Sequence, residues 1–103
     1  MTNRIDAAIL KAAIRPANFY REELDDMPVS KRSNGWVDGG LCPFHNDTHT
    51  GNFRVNLDTG AFTCFACGNK GGDIISYTQL RYALSFVDAL RYLAEEWGVR
   101  ACV

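Results

Sequence analysis

The middle of the chain alternates hydrophobic and polar residues with a period of two. Residues 53 to 57 alternate strictly, the next three residues favour a turn, and residues 61 to 64 lead the chain back. This pattern predicts a β-hairpin with one buried face and with Arg54 and Asn56 pointing outwards. Phe53, Val55 and Leu57 are expected to share its inner face, and Phe62 and Cys64 are expected to share a face across the turn.

The sequences before and after this hairpin have hydrophobic residues spaced with the period of an α-helix. Before it, the pattern predicts a helix capped by Asn3 and a second one over residues 17 to 24, separated by Arg15-Pro16. After it, the glycine-rich residues 68 to 72 are expected to form a flexible loop, and two more helices are expected to begin after Asp73 and Ser85. The side chains expected on the buried faces are Ile5, Ala8, Ile9, Ala12 and Ala13 in the first helix, and Phe86, Ala89, Leu90, Leu93, Ala94 and Trp97 in the last.

A second hairpin signal lies upstream of the first hairpin. Asn34-Gly35 favours the positive φ angles of a tight turn, so residues 29 to 33 and Trp36-Val37 are expected to be strands. Together the elements predict an α+β fold, in which a small antiparallel sheet of about four to five strands is flanked by N- and C-terminal helices.

The composition suits one small globular domain. The chain has 103 residues, of which 47% are hydrophobic and 22% charged. It has no long apolar run that predicts a membrane span, and its first residues do not resemble a secretory signal, so we expect a cytoplasmic protein. Because that compartment is reducing, its four cysteines favour metal binding over disulfides.

Two short pairs of potential metal ligands frame the central hairpin. Cys42 and His45 form a C-x-x-H pair, and Cys64 and Cys67 form a C-x-x-C pair after eighteen intervening residues. This spacing predicts one tetrahedral zinc ion, which is structural because four protein ligands leave no open position for water. The alternatives are an iron-sulfur centre, four unrelated side chains, and His49 as the ligand in place of His45.

The charge distribution allows only weak contact with nucleic acid. The net charge is -1, whereas dedicated nucleic-acid-binding proteins are usually basic. Basic residues near the hairpins could still contact phosphates, and an aromatic ring there could stack on an unpaired base. The alternative is that the basic residues are only solvated and that the aromatic rings pack around the metal site. The candidates for nucleic-acid contact are Lys31, Arg32, Trp36, Arg54 and Lys70, with Phe44, Phe62 and Phe65 as further stacking surfaces.

Three segments around the ligand pairs carry a more specific pattern. They are Gly40-Leu41-Cys42-Pro43-Phe44-His45-Asn46-Asp47, Phe53-x-Val55, and Phe62-x-Cys64-Phe65-x-Cys67-Gly68-x-x-Gly71-x-Asp73-x-Ile75. Over about residues 28 to 99, the chain resembles the CHC2 zinc-binding domain of bacterial DnaG-type DNA primases. The resemblance implies a zinc ribbon whose ligands are Cys42, His45, Cys64 and Cys67. Together with the length of the chain, it predicts a single CHC2-type domain over 1–103, with a helical lead-in (1–26), the ribbon (27–68) and helices (69–99).

The resemblance also implies a role in priming. In that family the domain helps to select the start site on single-stranded template, and it holds initiating nucleotides for a separate TOPRIM polymerising region. That region needs an Asp-x-Asp motif, which these 103 residues lack, so we expect a non-catalytic module that belongs to a mobile element. Its expected partners are single-stranded DNA and a TOPRIM-type catalytic subunit or replicative helicase. The alternative is a protein-interaction adaptor without direct DNA contact.

Overall fold

The computed structural model describes residues 4–28 and 34–101 of the chain, and these form a four-stranded sheet with helices before and after it. All strand pairs are antiparallel, and the strand order is β1-β2-β3-β4. The predicted α+β architecture is therefore confirmed. The elements are α1 (Ala7–Ala13), α2 (Pro16–Glu23), β1 (Trp36–Asp38), β2 (Phe53–Asn56), β3 (Phe62–Cys64), β4 (Lys70–Gly71), α3 (Ile74–Tyr82) and α4 (Phe86–Glu96).

Side-chain caps fix where three of the helices begin. Asp6, Asp73 and Ser85 each accept a hydrogen bond from the backbone N–H three residues further on, which satisfies a donor that the first helical turn leaves unpaired. The predicted starts of α3 and α4 are thus confirmed. The predicted cap Asn3 lies outside the described residues, and the cap of α1 is Asp6.

The core lies between the helices and one face of the sheet. Phe53 and Val55 are buried there, as the alternating pattern predicted, and Phe62 of the neighbouring strand is buried beside them. Tyr77 of α3 contacts Phe62 edge to face with 5.6 Å between ring centroids. Phe44 lies between Cys42 and His45 in the sequence, and the centroid of its ring is 5.4 Å from that of Tyr77. Aromatic packing thus joins the ligand-bearing end of the sheet to the C-terminal helices.

The predicted buried face of α1 is wrong, whereas that of α4 is confirmed for Ala89, Leu90 and Leu93 and wrong for Phe86. In α1 the buried side chain is Leu10, with Ile14 just after the helix, whereas Ile9 is 46% exposed. Leu10 and Ile14 are four residues apart and so share a helical face, and their larger side chains bury more apolar surface than the alanines of the predicted face. In α4, Phe86 is 50% exposed because it occupies the first helical position, one turn before the first buried residue, Ala89.

The predicted loop over residues 68 to 72 is also wrong in part. Lys70 and Gly71 form β4, a two-residue edge strand that pairs with Thr63 and Phe62. Gly71 is needed there, because a Cβ atom at this position would lie 2.5 Å from the Phe62 ring. Residues 29–33, predicted to form a strand, lie outside the described part of the chain.

The two ends of the described chain meet beside the core. The backbone N–H of Asp6 donates a hydrogen bond of 2.7 Å to the carbonyl oxygen of Ala101, which is buried. Among residues 4–28 and 34–101, no helix combines the length and the apolar character that crossing a bilayer requires.

Candidate metal centre and the outer face of the sheet

Two tight turns carry the predicted metal ligands. At the end of β3, the N–H of Gly68 donates to the carbonyl oxygen of Cys64 at 2.9 Å, so the chain folds back and brings Cys67 next to Cys64. Gly68 has φ of +80°, which side-chain-bearing residues rarely adopt. In the other turn, the carboxylate of Asp47 accepts a hydrogen bond of 2.8 Å from the N–H of Cys42. Both turns are therefore fixed by local hydrogen bonds.

The four ligand atoms form a compact cluster. The donor atoms of Cys42, His45, Cys64 and Cys67 all lie within 4.8 Å of one another. The Sγ atoms of Cys42 and Cys67 are 3.8 Å apart, and Nε2 of His45 lies 3.5 Å from Sγ of Cys64. Around a tetrahedral zinc with ordinary bond lengths, two sulfurs lie about 3.8 Å apart and a sulfur and a nitrogen about 3.6 Å. These side chains therefore fit one zinc ion in a closed tetrahedron.

The surroundings of the cysteines differ in a way that affects their protonation. Burial raises the pKa of the Cys42 thiol to about 12. Desolvation also acts on Cys67, but the backbone N–H of Asn69, the thiols of Cys64 and Cys42 and then the Asn69 amide side chain all form hydrogen bonds that together outweigh it and lower the pKa of that thiol. Since zinc binds thiolates, loading the site releases protons, most of all from Cys42.

Asp47 stabilises the first turn as an anion. Its pKa is below the ordinary value, chiefly because the N–H of Cys42 donates to the carboxylate. Its other oxygen accepts a hydrogen bond of 3.2 Å from the N–H of His49, whose Nδ1 lies 2.9 Å from the Thr48 hydroxyl. His49 is exposed and lies outside the cluster of donor atoms, so the geometry favours His45 as the ligand.

The solvent-facing side of the sheet brings together residues from all four strands. The pairing places Arg54 opposite Thr63, and Thr63 opposite Lys70, in one row across the sheet. Trp36, 41% exposed, pairs with Asn56 at the end of β2 that is further from the metal site. We call the surface formed by Trp36, Arg54, Thr63, Phe65 and Lys70 the outer face.

Phe65 belongs to this face at its metal-proximal end. Its N–H donates a hydrogen bond of 2.9 Å to the carbonyl oxygen of Asn52, which continues the pairing of β2 with β3. Two residues beyond Thr63, it lies on the same side of the sheet, and its ring is 73% exposed. Along the strand direction, Phe65 and Trp36 are therefore about four residues or about 13 Å apart, and they also lie two strands apart across the sheet.

The residues predicted to contact nucleic acid differ in their positions in the structure. The structure places Trp36, Arg54 and Lys70 on one face, whereas Lys31 and Arg32 lie outside the described residues. Of the further stacking surfaces, Phe62 is buried and Phe44 packs against core rings, so only Phe65 offers a free ring. Thr63 was missed in the sequence, although its position between two inward-pointing residues of β3 indicates that it faces outwards.

A zinc ribbon is a small antiparallel sheet in which two turns each supply a pair of cysteine or histidine ligands to one zinc ion. The fold and the site therefore define this chain as a zinc ribbon. The CHC2 zinc finger family model matches residues 23–102. The chain therefore belongs to the CHC2 zinc finger family, and it carries one structural zinc.

Similar proteins are DNA primases. The chain is 38% identical to a DNA primase of Mycolicibacterium smegmatis over 87 residues, which are 84% of this chain and 13% of that protein. It is 43% identical to a DNA primase of Deinococcus radiodurans over 61 residues, or 59% of this chain and 10% of that one. A crystal structure of the zinc-binding and RNA polymerase domains of Aquifex aeolicus primase matches with a TM-score of 0.66 and 30% identity, covering 88% of this chain and 21% of that one. The chain thus spans only a small part of these relatives.

Proposed function

We propose that this chain is a non-catalytic, zinc-dependent module of a cytoplasmic priming system, and that it binds single-stranded DNA template through its outer face. Cys42, His45, Cys64 and Cys67 hold the zinc, which fixes the hairpin that carries this face. Nucleotidyl transfer is supplied in trans by a TOPRIM-type catalytic subunit, and the protein partner of this chain is that subunit or a replicative helicase. Residues 1–103 act as one domain in this proposal. Its primase-related part is supported by the family and by the similar proteins.

The arrangement of the outer face is the observation that carries the DNA-binding part. Arg54 and Lys70 lie in one row, two strand spacings or about 10 Å apart, and an exposed aromatic ring lies on either side of that row along the strands. Single strands are held by such combinations, because cations attract the phosphates while aromatic rings stack on bases of any sequence. Trp36 and Phe65 are the proposed stacking residues.

The charges on and near the outer face predict that its binding to single-stranded DNA is weak. Asp38 pairs with Arg54 across β1 and β2 and offsets part of its charge, and the whole chain has a net charge of -1. One oxygen of Asp38 already accepts a hydrogen bond of 2.9 Å from the N–H of Gly40. With two cations on the described part of this face, we expect log K to fall with log [salt] with a slope of only about -1.4.

Titration of a labelled single-stranded oligonucleotide with the zinc-loaded chain, followed by fluorescence anisotropy at several salt concentrations, tests the proposal. Arg54→Ala is expected to weaken binding and to reduce the salt slope by about 0.7. Trp36→Ala is expected to cost about 1–3 kcal/mol through lost stacking, with the salt slope unchanged. The matched control is Arg91→Ala, which removes the same charge from α4, where Arg91 pairs with Asp88 at 3.5 Å.

Three outcomes would contradict the proposal. One is the absence of binding at low salt while the chain holds one zinc. Another is an equal loss of affinity in Arg54→Ala and Arg91→Ala, since the charge effect would then not be specific to the outer face. The third is unchanged binding after Trp36→Ala.

A protein-interaction adaptor is the second candidate function. The exposed Phe86 and Val87 in the first turn of α4 favour it, because adjacent exposed apolar side chains are typical of interaction sites. In this case the zinc-loaded chain would bind no oligonucleotide, and Phe86→Ser would abolish capture of a purified TOPRIM-type subunit while leaving zinc content unchanged.

A further inference from the structure

A cleft between α2 and α4 has a chemistry unlike that of the outer face. Its volume is about 300 Å³, and it is lined by Phe19, Glu22, Glu23, Tyr92, Glu96 and Trp97. That volume is at the lower end for ligand pockets and suits one long side chain. The helices cover the buried face of the sheet, so the cleft is separated from the outer face.

The carboxylate of Glu23 is held in place within this cleft. Its Oε1 accepts hydrogen bonds from the hydroxyl groups of Tyr82 at 2.6 Å and Tyr77 at 3.4 Å. Burial, and then the charge of Glu23, raises the pKa of Tyr77, so that its hydroxyl remains a donor. These bonds fix the position of Glu23, and both donors are uncharged hydroxyl groups.

The other two carboxylates are also unpaired. Glu22 and Glu96 are exposed, and no ion pair to Glu22, Glu23 or Glu96 is found among residues 4–28 and 34–101. The guanidinium of Arg81 lies 5.1 Å from the centre of the Tyr82 ring instead. Three carboxylates therefore line one concave surface without an ion pair in the described chain, and the cation with an effect there is Arg81, whose charge acts on the Tyr77 hydroxyl.

Aromatic rings form the remaining walls. Trp97 packs on Phe19 with 6.1 Å between ring centroids, and Tyr92 stacks near Tyr82 at 5.0 Å. Aromatic faces attract cations, and they favour the planar, weakly hydrated guanidinium over a compact ammonium or a hydrated metal ion. The negative charge of the cleft excludes phosphate-bearing ligands, so nucleic acid does not fit there.

We propose that the cleft between α2 and α4 binds an arginine side chain from a basic segment of a partner protein. The guanidinium pairs with Glu22 and Glu96 at the mouth and lies against the ring of Trp97. The cleft would therefore serve protein contact while the outer face remains open. This inference does not depend on DNA binding, because the two surfaces share no residue.

The two tryptophans allow a direct test. Trp36 lies on the outer face and Trp97 lines the cleft, so their indole Nε1–H resonances report on the two surfaces separately. We would titrate the ¹⁵N-labelled, zinc-loaded chain with acetyl-Ala-Arg-Ala-amide and with the uncharged citrulline analogue. The expected result is a saturable shift of the Trp97 resonance with the arginine peptide only, while the Trp36 resonance stays unchanged.

Charge-removing variants identify the carboxylates involved. Glu22→Gln and Glu96→Gln are each expected to weaken arginine-peptide binding about threefold, as for solvent-exposed ion pairs. The matched control is Glu95→Gln, since Glu95 neighbours Glu96 in sequence but faces a different groove, lined by Ile5 and Val99. This control is expected to leave the affinity unchanged.

Several results would overturn the proposal. An equal response to the citrulline peptide would show that charge is not recognised, and an equal affinity for guanidinium chloride would indicate a site for a free small cation. A Trp97 resonance that shifts with protein concentration alone would identify a second copy of the chain as the occupant. A shift caused by an oligonucleotide would assign the cleft to nucleic acid.

Discussion

Replacing Cys64 with serine should remove the zinc and unfold the hairpin that carries the outer face. Cys64 is 1% exposed, and its Sγ lies 3.5 Å from Nε2 of His45, so a shorter side chain with a neutral hydroxyl cannot restore the tetrahedron. The perturbation is therefore confined to one atom of a buried ligand.

The expected magnitude is large compared with the stability of the domain. A domain of this size has about 5–15 kcal/mol of unfolding free energy, and structural zinc contributes an apparent 10–16 kcal/mol in zinc-finger peptides. Loss of the ion should therefore expose the hairpin, although the aromatic packing around Tyr77 can retain structure in the helices.

Two measurements check this prediction. Elemental analysis should give less than one zinc per chain for Cys64→Ser, and amide hydrogen exchange should lose its protection in β2 and β3. The matched control is His49→Ala, which should retain one zinc because His49 lies outside the donor cluster. One zinc per chain in Cys64→Ser, or loss of zinc in His49→Ala, would refute the ligand set.

Further predictions concern the helix cap and the close packing that supports the site. Asp73→Ala should lower stability by about 1 kcal/mol, because the carboxylate accepts a hydrogen bond of 2.8 Å from the Ser76 N–H, and denaturant unfolding would measure this. Burial opposes ionisation of Asp73, but hydrogen bonds from Ser76 outweigh this effect and lower the pKa of the carboxyl group. The stability difference between the wild type and Asp73→Ala should therefore be constant above about pH 5 and shrink below about pH 4. An equal difference at pH 3 and pH 7 would contradict this. Gly71→Ala should lower the stability by about 1–3 kcal/mol, because the new Cβ crowds the Phe62 ring. Gly72→Ala should lower it far less, because no atom lies within 4 Å of a Cβ at that position. Equal melting temperatures for the two variants would refute the packing argument.

The metal ligands could be predicted from the sequence because their geometry is local. Each pair lies within a single tight turn, and the pairs Cys42-x-x-His45 and Cys64-x-x-Cys67 specify the donor types directly. The outward position of Arg54 was predictable for a similar reason, since alternation within one strand assigns its side chains to faces.

Features that depend on contacts distant in sequence could not be predicted in this way. The short strand of Lys70 and Gly71 exists because β3 offers a free edge, and a glycine-rich pattern alone favours a loop. Phe44, Phe62 and Phe65 all lie near the ligands in sequence, yet only Phe65 is exposed. What separates them is the packing of α3 against the sheet, where Tyr77 contacts the other two rings.

The most direct test of the central claim follows the two indole resonances while a single-stranded oligonucleotide is added to the zinc-loaded chain. If the outer face binds DNA, the Trp36 resonance will shift in a saturable and salt-sensitive manner, the Trp97 resonance will stay fixed, and chelation of zinc will abolish the response. A Trp36 resonance that stays unchanged at low salt, or a response that persists without zinc, would contradict the account.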